Sequence, residues 1–154
     1  MPAKKLKEFL DERGVKYVSI QHSPAYTAPE VAQSAHIAGT DFAKTVIVKI
    51  DGQMAMVVVP AHRKIVLSDL RELLLTDHVQ LATEDEFIGR FPDCELGAMP
   101  PFGNLYDMTV YMENSLTNHP AIAFNAGSHR EVIKMSTDDF LRMTDPVVMD
   151  VATV

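Results

Sequence analysis

Phe42-Ala43-Lys44-Thr45-Val46-Ile47-Val48-Lys49-Ile50-Asp51-Gly52-Gln53-Met54-Ala55-Met56-Val57-Val58-Val59-Pro60 is the stretch that decides the fold. Two runs rich in β-branched residues flank the dipeptide Asp51-Gly52. Asp-Gly between such runs predicts an antiparallel hairpin with a two-residue turn, because both turn positions need φ > 0. Alternation puts Phe42, Lys44, Val46 and Val48 on one face and Ala43, Thr45, Ile47 and Lys49 on the other. Both faces are largely apolar, so a wholly exposed Lys44 is not the obvious reading.

Outward from the hairpin, strands and helices intersperse without strict alternation. Residues 4–13 place Leu6, Phe9 and Leu10 at helical spacing, with Gly14 as a stop. Residues 15–20 read as a strand. Thr27-Ala28-Pro29-Glu30 is a capping box with proline in the first turn, predicting a helix to about His36. Ser68 is expected to cap a helix carrying Leu70, Leu73 and Leu74, and Thr83-Glu84-Asp85-Glu86 to cap another that ends before Pro92. Strands are predicted at 79–81, 106–112, 121–125 and 131–135, with a last helix over 137–143 capped by Ser136. The pattern is α+β with a mixed sheet, in a single domain over residues 1–154.

Composition excludes several classes. Hydrophobic residues are 47% and charged residues 23% of the 154, a globular balance that argues against disorder or a fibre. No apolar run is long enough to span a bilayer, so no membrane role is expected. The basic start Met1-Pro2-Ala3-Lys4-Lys5 leads into a charged helix rather than an apolar leader. A single cysteine, Cys94, excludes an intramolecular disulfide and fits the reducing cytoplasm. A net charge of −7 argues against a general nucleic-acid coat. Local phosphate contacts are left to small clusters: Lys4, Lys5 and Lys7; Arg63-Lys64; or His129-Arg130 with Lys134.

Chemistry concentrates in three places. Residues 95–104, Glu-Leu-Gly-Ala-Met-Pro-Pro-Phe-Gly-Asn, set two prolines between two glycines. Such a run is a stiff loop: either a ligand wall or a rigid connector anchored by Phe102. Lys44 lies in an apolar run, where it either orients an anionic or carbonyl oxygen at a pocket mouth or snorkels at a strand end. Gly127-Ser128-His129 falls between two strands. It is either an ordinary hairpin turn with an exposed histidine, or a source of backbone N–H groups for an oxyanion with His129 moving a proton. The six histidines show no H-x-x-x-H pair and Cys94 has no local partner, so neither a metal site nor a metal cofactor is expected. Cys94 reads as an inert thiol, and no G-x-S-x-G elbow supports a serine hydrolase.

Four pieces in this order, Phe42-Ala43-Lys44-Thr45-Val46, the run 97–103, Asn125-Ala126-Gly127-Ser128-His129 and Ser136-x-x-Asp139-Phe140, resemble the aminoacyl-tRNA editing-domain family. Stand-alone Cys-tRNA(Pro), Ala-tRNA(Pro) and Ser/Thr-type trans-editing deacylases belong to it, as does the insertion domain of bacterial prolyl-tRNA synthetase. The resemblance implies a partly barrel-like mixed sheet. It implies hydrolysis, in trans, of the ester joining a wrong, small or polar amino acid to the terminal ribose of tRNA. It assigns catalysis to Lys44, Gly127 and His129, with Lys44 holding the acceptor end and the glycine turns polarising the ester. Water oriented by the substrate's own ribose hydroxyl attacks, with no metal or cofactor. Substrate contacts fall on Phe42, Thr45, Gly97, Ala98, Met99, Pro100, Pro101, Phe102, Gly103 and Ser128, with Tyr26 and Val46 as further walls. A synthetase or elongation factor is the implied helper partner. Thr45 stands where many Ala-specific members have Asn, and Gly127-Ser128-His129 departs from the Gly-Gly-basic turn of the Cys-tRNA(Pro) type, so the amino acid stays open. A binding module of the same fold that recognises an aminoacyl end, a small ligand or a partner protein without hydrolysis is the alternative.

Overall fold

The computed structural model describes residues 4–22 and 41–153. The central hairpin forms as the sequence requires. Strands β2 (Ala43–Ile50) and β3 (Gln53–Pro60) pair antiparallel from Ala43↔Pro60 to Ile50↔Gln53, leaving Asp51 and Gly52 as the turn. Their φ values, 50° and 84°, are the left-handed pair such a turn demands. Strands β5 (Val79–Leu81), β6 (Val110–Glu113) and β9 (Val147–Met149) complete a five-stranded sheet of order β5-β2-β3-β6-β9. It is mixed: β5 joins β2 antiparallel, while β3–β6 and β6–β9 are parallel.

A second sheet of three strands runs β1 (Tyr17–Gln21), β8 (Glu131–Ser136) and β7 (Ala121–Asn125), antiparallel throughout. The two sheets meet where Phe42 bridges Ala123 in parallel and the Ala123 N–H donates to the Asp41 carbonyl at 2.9 Å. The sheet system therefore curls without closing, the partly barrel-like arrangement expected.

The alternation of the hairpin divides the interior. Ala43, Ile47, Met56 and Val58 face a large core. They meet helix α1 (Lys4–Glu12), the inner face of the second sheet, and the C-terminal helix (Thr137–Thr144). Val48, Ala55, Val57 and Val59 face a smaller core closed by Leu70 of helix α2 (Leu67–Leu74), Val79 and Val151. Burial on both faces is why this strand pair carries almost no polar residue between Val46 and Val48 or Met54 and Val59. The short helix α3 (Glu84–Phe87) opens with the predicted box. The Glu86 amide donates to Thr83 Oγ1 at 3.3 Å, and the Thr83 amide donates to Glu86 Oε1 at 2.9 Å. The last helix, α4 (Thr137–Thr144), has Ser136 Oγ accepting from the Asp139 amide at 3.0 Å, also as expected.

Two local expectations are corrected. Helix α2 starts at Leu67 with Val66 as its extended cap residue, so Ser68 is helical rather than capping. The strand expected from residue 106 starts only at Val110, because 103–105 form a 3₁₀ turn and Asp107 takes φ 56°. Strands β4 (Lys64–Ile65) and β10 (Ala152–Thr153), which pair with each other, and the three-residue β9 are too short to announce themselves in sequence. The helix expected over 27–36 and Tyr26 lie outside the described residues.

Candidate functional site

The two glycine-bearing segments, 30 residues apart in the chain (97 to 127), are bonded to each other. The Glu95 amide donates to the Gly127 carbonyl at 2.8 Å, and the Gly127 amide donates to the Ala98 carbonyl at 2.9 Å. Gly127 does this at φ 90°, a conformation that residues with a Cβ rarely adopt. His129 adds a third tie: its Nε2 lies 2.8 Å from the Leu96 carbonyl, and its backbone N–H points at Glu95 Oε2 at 3.4 Å. A carbonyl oxygen only accepts, so that bond puts a proton on Nε2. His129 is buried at 7% exposure.

These bonds show which polar groups of the turn are already engaged. The expectation of an exposed histidine is corrected: His129 clasps the loop. The Gly127 amide is already engaged by Ala98, so in this arrangement it is not the N–H that would meet an ester oxygen. The Ser128 amide has no partner among the described residues, while Ser128 Oγ accepts from the Arg130 amide at 3.1 Å. The turn therefore still presents a backbone donor, one residue further on than sequence placed it.

The loop itself divides. Glu95, Leu96 and Gly97 are exposed, but every residue from Ala98 to Gly103 is buried. Phe102 is fully buried, with ring centroids 6.1 Å from Phe9, 5.5 Å from Phe124 and 5.4 Å from Phe140. Those edge-on and tilted contacts make it an anchor of the main core rather than a pocket wall. Met99 belongs to the same core. Gly103 is required by packing: a Cβ there would sit 2.6 Å from the Met108 carbonyl oxygen and 2.7 Å from Val110 Cγ2.

Lys44 stands at the junction of the sheets. Phe42, two residues before it, is bridged to Ala123 in parallel, so β2 starts beside β7, the strand that leads into the Gly127 turn. Thr45 and Val46 follow as half-buried neighbours and Phe42 is fully buried. The Lys44 ammonium makes no ion pair or hydrogen bond among the described residues. Burial, and secondarily the positive charge of Lys64, push its pKa below the ordinary lysine value. Asn125 opens the sequence motif Asn125-Ala126-Gly127-Ser128-His129. Its Oδ1 is buried with no hydrogen-bond partner among the described residues. Its burial follows from β7 lying between β8 and the start of β2, which only the topology reveals.

Elsewhere the candidates are inert. Cys94 is half-buried, 3.6 Å from the Tyr106 hydroxyl, and burial raises its pKa, as an unreactive thiol should show. Among the described residues no group of three His, Cys, Asp or Glu side chains is placed to hold a metal ion. No described helix is long and apolar enough to cross a membrane.

The fold is thus a curled mixed sheet that carries Lys44 near the junction of its two sheets and, separately, a clasped pair of glycine segments. The family model for the aminoacyl-tRNA editing domain matches residues 22–143, and the chain belongs to that family. Among curated relatives, the prolyl-tRNA editing protein ProX of Acetoanaerobium sticklandii is 26% identical over 137 residues, covering 84% of this chain and 82% of ProX. A proline–tRNA ligase of Staphylococcus epidermidis is 33% identical over 90 residues, and the match covers 58% of this chain but only 16% of the ligase. The fold is shared with the crystal structure of a candidate trans-editing enzyme for prolyl tRNA synthetase, at TM-score 0.84 and 20% identity, over 99% of this chain and 98% of that one.

Proposed function

We propose that this chain is a trans-acting deacylase that hydrolyses the ester between tRNA and a wrongly attached small or polar amino acid. The observation that carries the proposal is Lys44: a half-buried cation with no partner among the described residues, on the strand that starts beside the one leading into the Gly127 turn. An uncompensated buried charge is unfavourable unless a ligand completes it, and the 3′ end of tRNA supplies phosphates and ester oxygens. Membership of the editing family and the near full-length likeness to ProX support the same reading.

In this reading Lys44 holds the acceptor end, and the Ser128 amide faces the ester carbonyl, where it stabilises the developing oxyanion. An aminoacyl ester is already activated, so positioning and a dry site contribute more than a strong nucleophile. Water, oriented by the free ribose hydroxyl of the substrate, attacks the carbonyl carbon. The C–O bond to the ribose breaks and the ribose oxygen takes a proton, releasing free amino acid and tRNA. Neither a metal nor a covalent enzyme intermediate enters these steps. The partners are the aminoacyl-tRNA acceptor end and, for delivery, a synthetase or elongation factor, in the cytoplasm.

The clasp between residues 95–98 and 127–129 fixes the loop that frames the substrate, so Ala98, Met99, Pro100 and Pro101 set its dimensions. A panel of mischarged tRNAs incubated with wild type and Lys44→Ala tests the function. Hydrolysis of at least one small or polar aminoacyl ester by wild type, and its loss in Lys44→Ala, is expected. No hydrolysis of any member by wild type would remove the proposal and leave the binding-module alternative.

A further inference from the structure

The sequence offers three basic clusters, and the structure disposes of them differently. Lys5 Nζ donates to the Leu105 carbonyl at 2.6 Å, Lys7 pairs with buried Glu131 at 2.6 Å, and Lys4 lies 3.9 Å from Glu8. In the third cluster His129 is spent on the loop clasp. In the second, Arg63 reaches Glu113 at 3.7 Å, but Lys64 makes no side-chain hydrogen bond or ion pair among the described residues.

Lys64 is held next to Lys44 by backbone geometry. Lys44 lies opposite Val59 on β3. The ladder runs on one step as the Ala61 amide donates to the Phe42 carbonyl at 2.7 Å. The chain then turns, with the Arg63 amide donating to the Pro60 carbonyl at 3.0 Å, and delivers Lys64 into β4. Ile65 beside it packs on the smaller core, the face of the central sheet that Lys44 shares with Val46 and Val48. Pairing of Lys64 with Thr153 on β10 fixes the position from the other side. Glu113 fastens both flanks: it takes Arg63 as an ion pair, and its Oε1 accepts from the Val151 amide at 3.2 Å.

We infer that Lys64 is a second phosphate-gripping residue, acting with Lys44 on consecutive phosphodiesters of the single-stranded 3′ end of tRNA. The inference rests on the proposed function for its ligand. Two cations brought close by this register, without an acidic partner among the described residues, in a chain of net charge −7, form a local anion site on an otherwise repelling surface. The positive charge of Lys64 adds to burial in lowering the Lys44 pKa, in keeping with the closeness that the register implies. Arg63 and Glu113 are positioning residues for this grip.

The test measures binding of an uncharged single-stranded RNA oligonucleotide ending in CCA, across a series of salt concentrations, to wild type, Lys64→Gln, Lys64→Arg and the control Lys134→Gln. Lys64→Gln is expected to weaken binding about tenfold, the size of one charge-assisted contact. It should also flatten the dependence of log K on log salt by about 0.7, the single-strand value for one phosphate. Lys64→Arg and Lys134→Gln should retain both. Binding and slope unchanged in Lys64→Gln, or no RNA binding by wild type, overturns the inference. Hydrolysis separates this from the parent reading. If wild type deacylates, Lys64→Gln should raise KM for aminoacyl-tRNA at unchanged kcat and leave hydrolysis of aminoacyl-adenosine, which has no internucleotide phosphate, unaffected; equal losses on both substrates overturn the grip. If wild type deacylates nothing, the deacylase reading fails while the oligonucleotide result still decides Lys64.

Discussion

The amide of Gly127 donates to the carbonyl of Ala98 at 2.9 Å, joining two segments that sequence treats as separate motifs. With the Glu95 amide on the Gly127 carbonyl and His129 on the Leu96 carbonyl, the loop and the turn become one rigid piece. The role of each residue follows from which of its polar groups that piece already uses.

His129 is therefore expected to matter first for stability. His129→Ala removes a buried ring and leaves the Leu96 carbonyl without its donor, a cost of about 1–3 kcal/mol. Urea unfolding measures it, and faster amide exchange at Ala98 and Gly127 should accompany the loss. Stability equal to wild type would return His129 to a purely catalytic role.

Gly103→Ala places a methyl group within 2.6 Å of the Met108 carbonyl oxygen and 2.7 Å of Val110 Cγ2. Backbone and a β-branched side chain yield little, so destabilisation of about 1–3 kcal/mol is expected from overpacking. A thermal melt reads it directly, and an unchanged Tm would contradict the packing described.

Lys44 should separate stability from function. Its folded pKa is lowered by burial and by Lys64, so the charged form is less welcome in the folded chain than in the unfolded one. Lys44→Met is expected to raise Tm at neutral pH while deacylation falls at least about tenfold, the cost of a lost charge-assisted contact. Between the lowered folded pKa and the ordinary lysine value the unfolded chain binds more protons, so wild-type stability rises with pH there. The advantage of the methionine variant should shrink across that window. An advantage that grows with pH would refute the assignment.

Glu113 makes the opposite prediction. Burial raises its pKa, but hydrogen bonds from the Ser115 hydroxyl and amide and from the Val151 and Ala152 amides outweigh burial and hold it below the ordinary glutamate value. Its stabilisation is present above the unfolded-state pKa and is lost as pH falls through the folded one. Glu113→Gln should cost about 1–3 kcal/mol at neutral pH, and the gap to wild type should close in acid. Denaturant titrations at several pH values check both statements.

The sequence made the central hairpin legible because Asp51-Gly52 and the β-branched runs are local signals, as are the Thr83 and Ser136 caps. It did not reveal that β6 and β9 run parallel to β3, since parallel partners are chosen by distant packing rather than by a turn. The order Lys44, loop, glycine turn was visible, and the structure brings loop and turn together. Invisible were the partners of individual atoms: that Ala98 takes the Gly127 amide, and that Phe102 belongs to an aromatic core. Each depends on contacts between residues far apart in the chain.

Residues 98–103 are loop by conformation and interior by burial. Any change of amino-acid preference made through them must also repack Phe9, Phe124 and Phe140 around Phe102. On the proposed reading, substrate choice and thermal robustness draw on the same side chains. Variation at these positions among descendants of this chain would be filtered by folding before it is filtered by accuracy of translation. On the proposed reading, new specificity is more accessible from the exposed Leu96, since Gly97 is held at φ 82° and the Glu95 carboxylate accepts from the His129 amide.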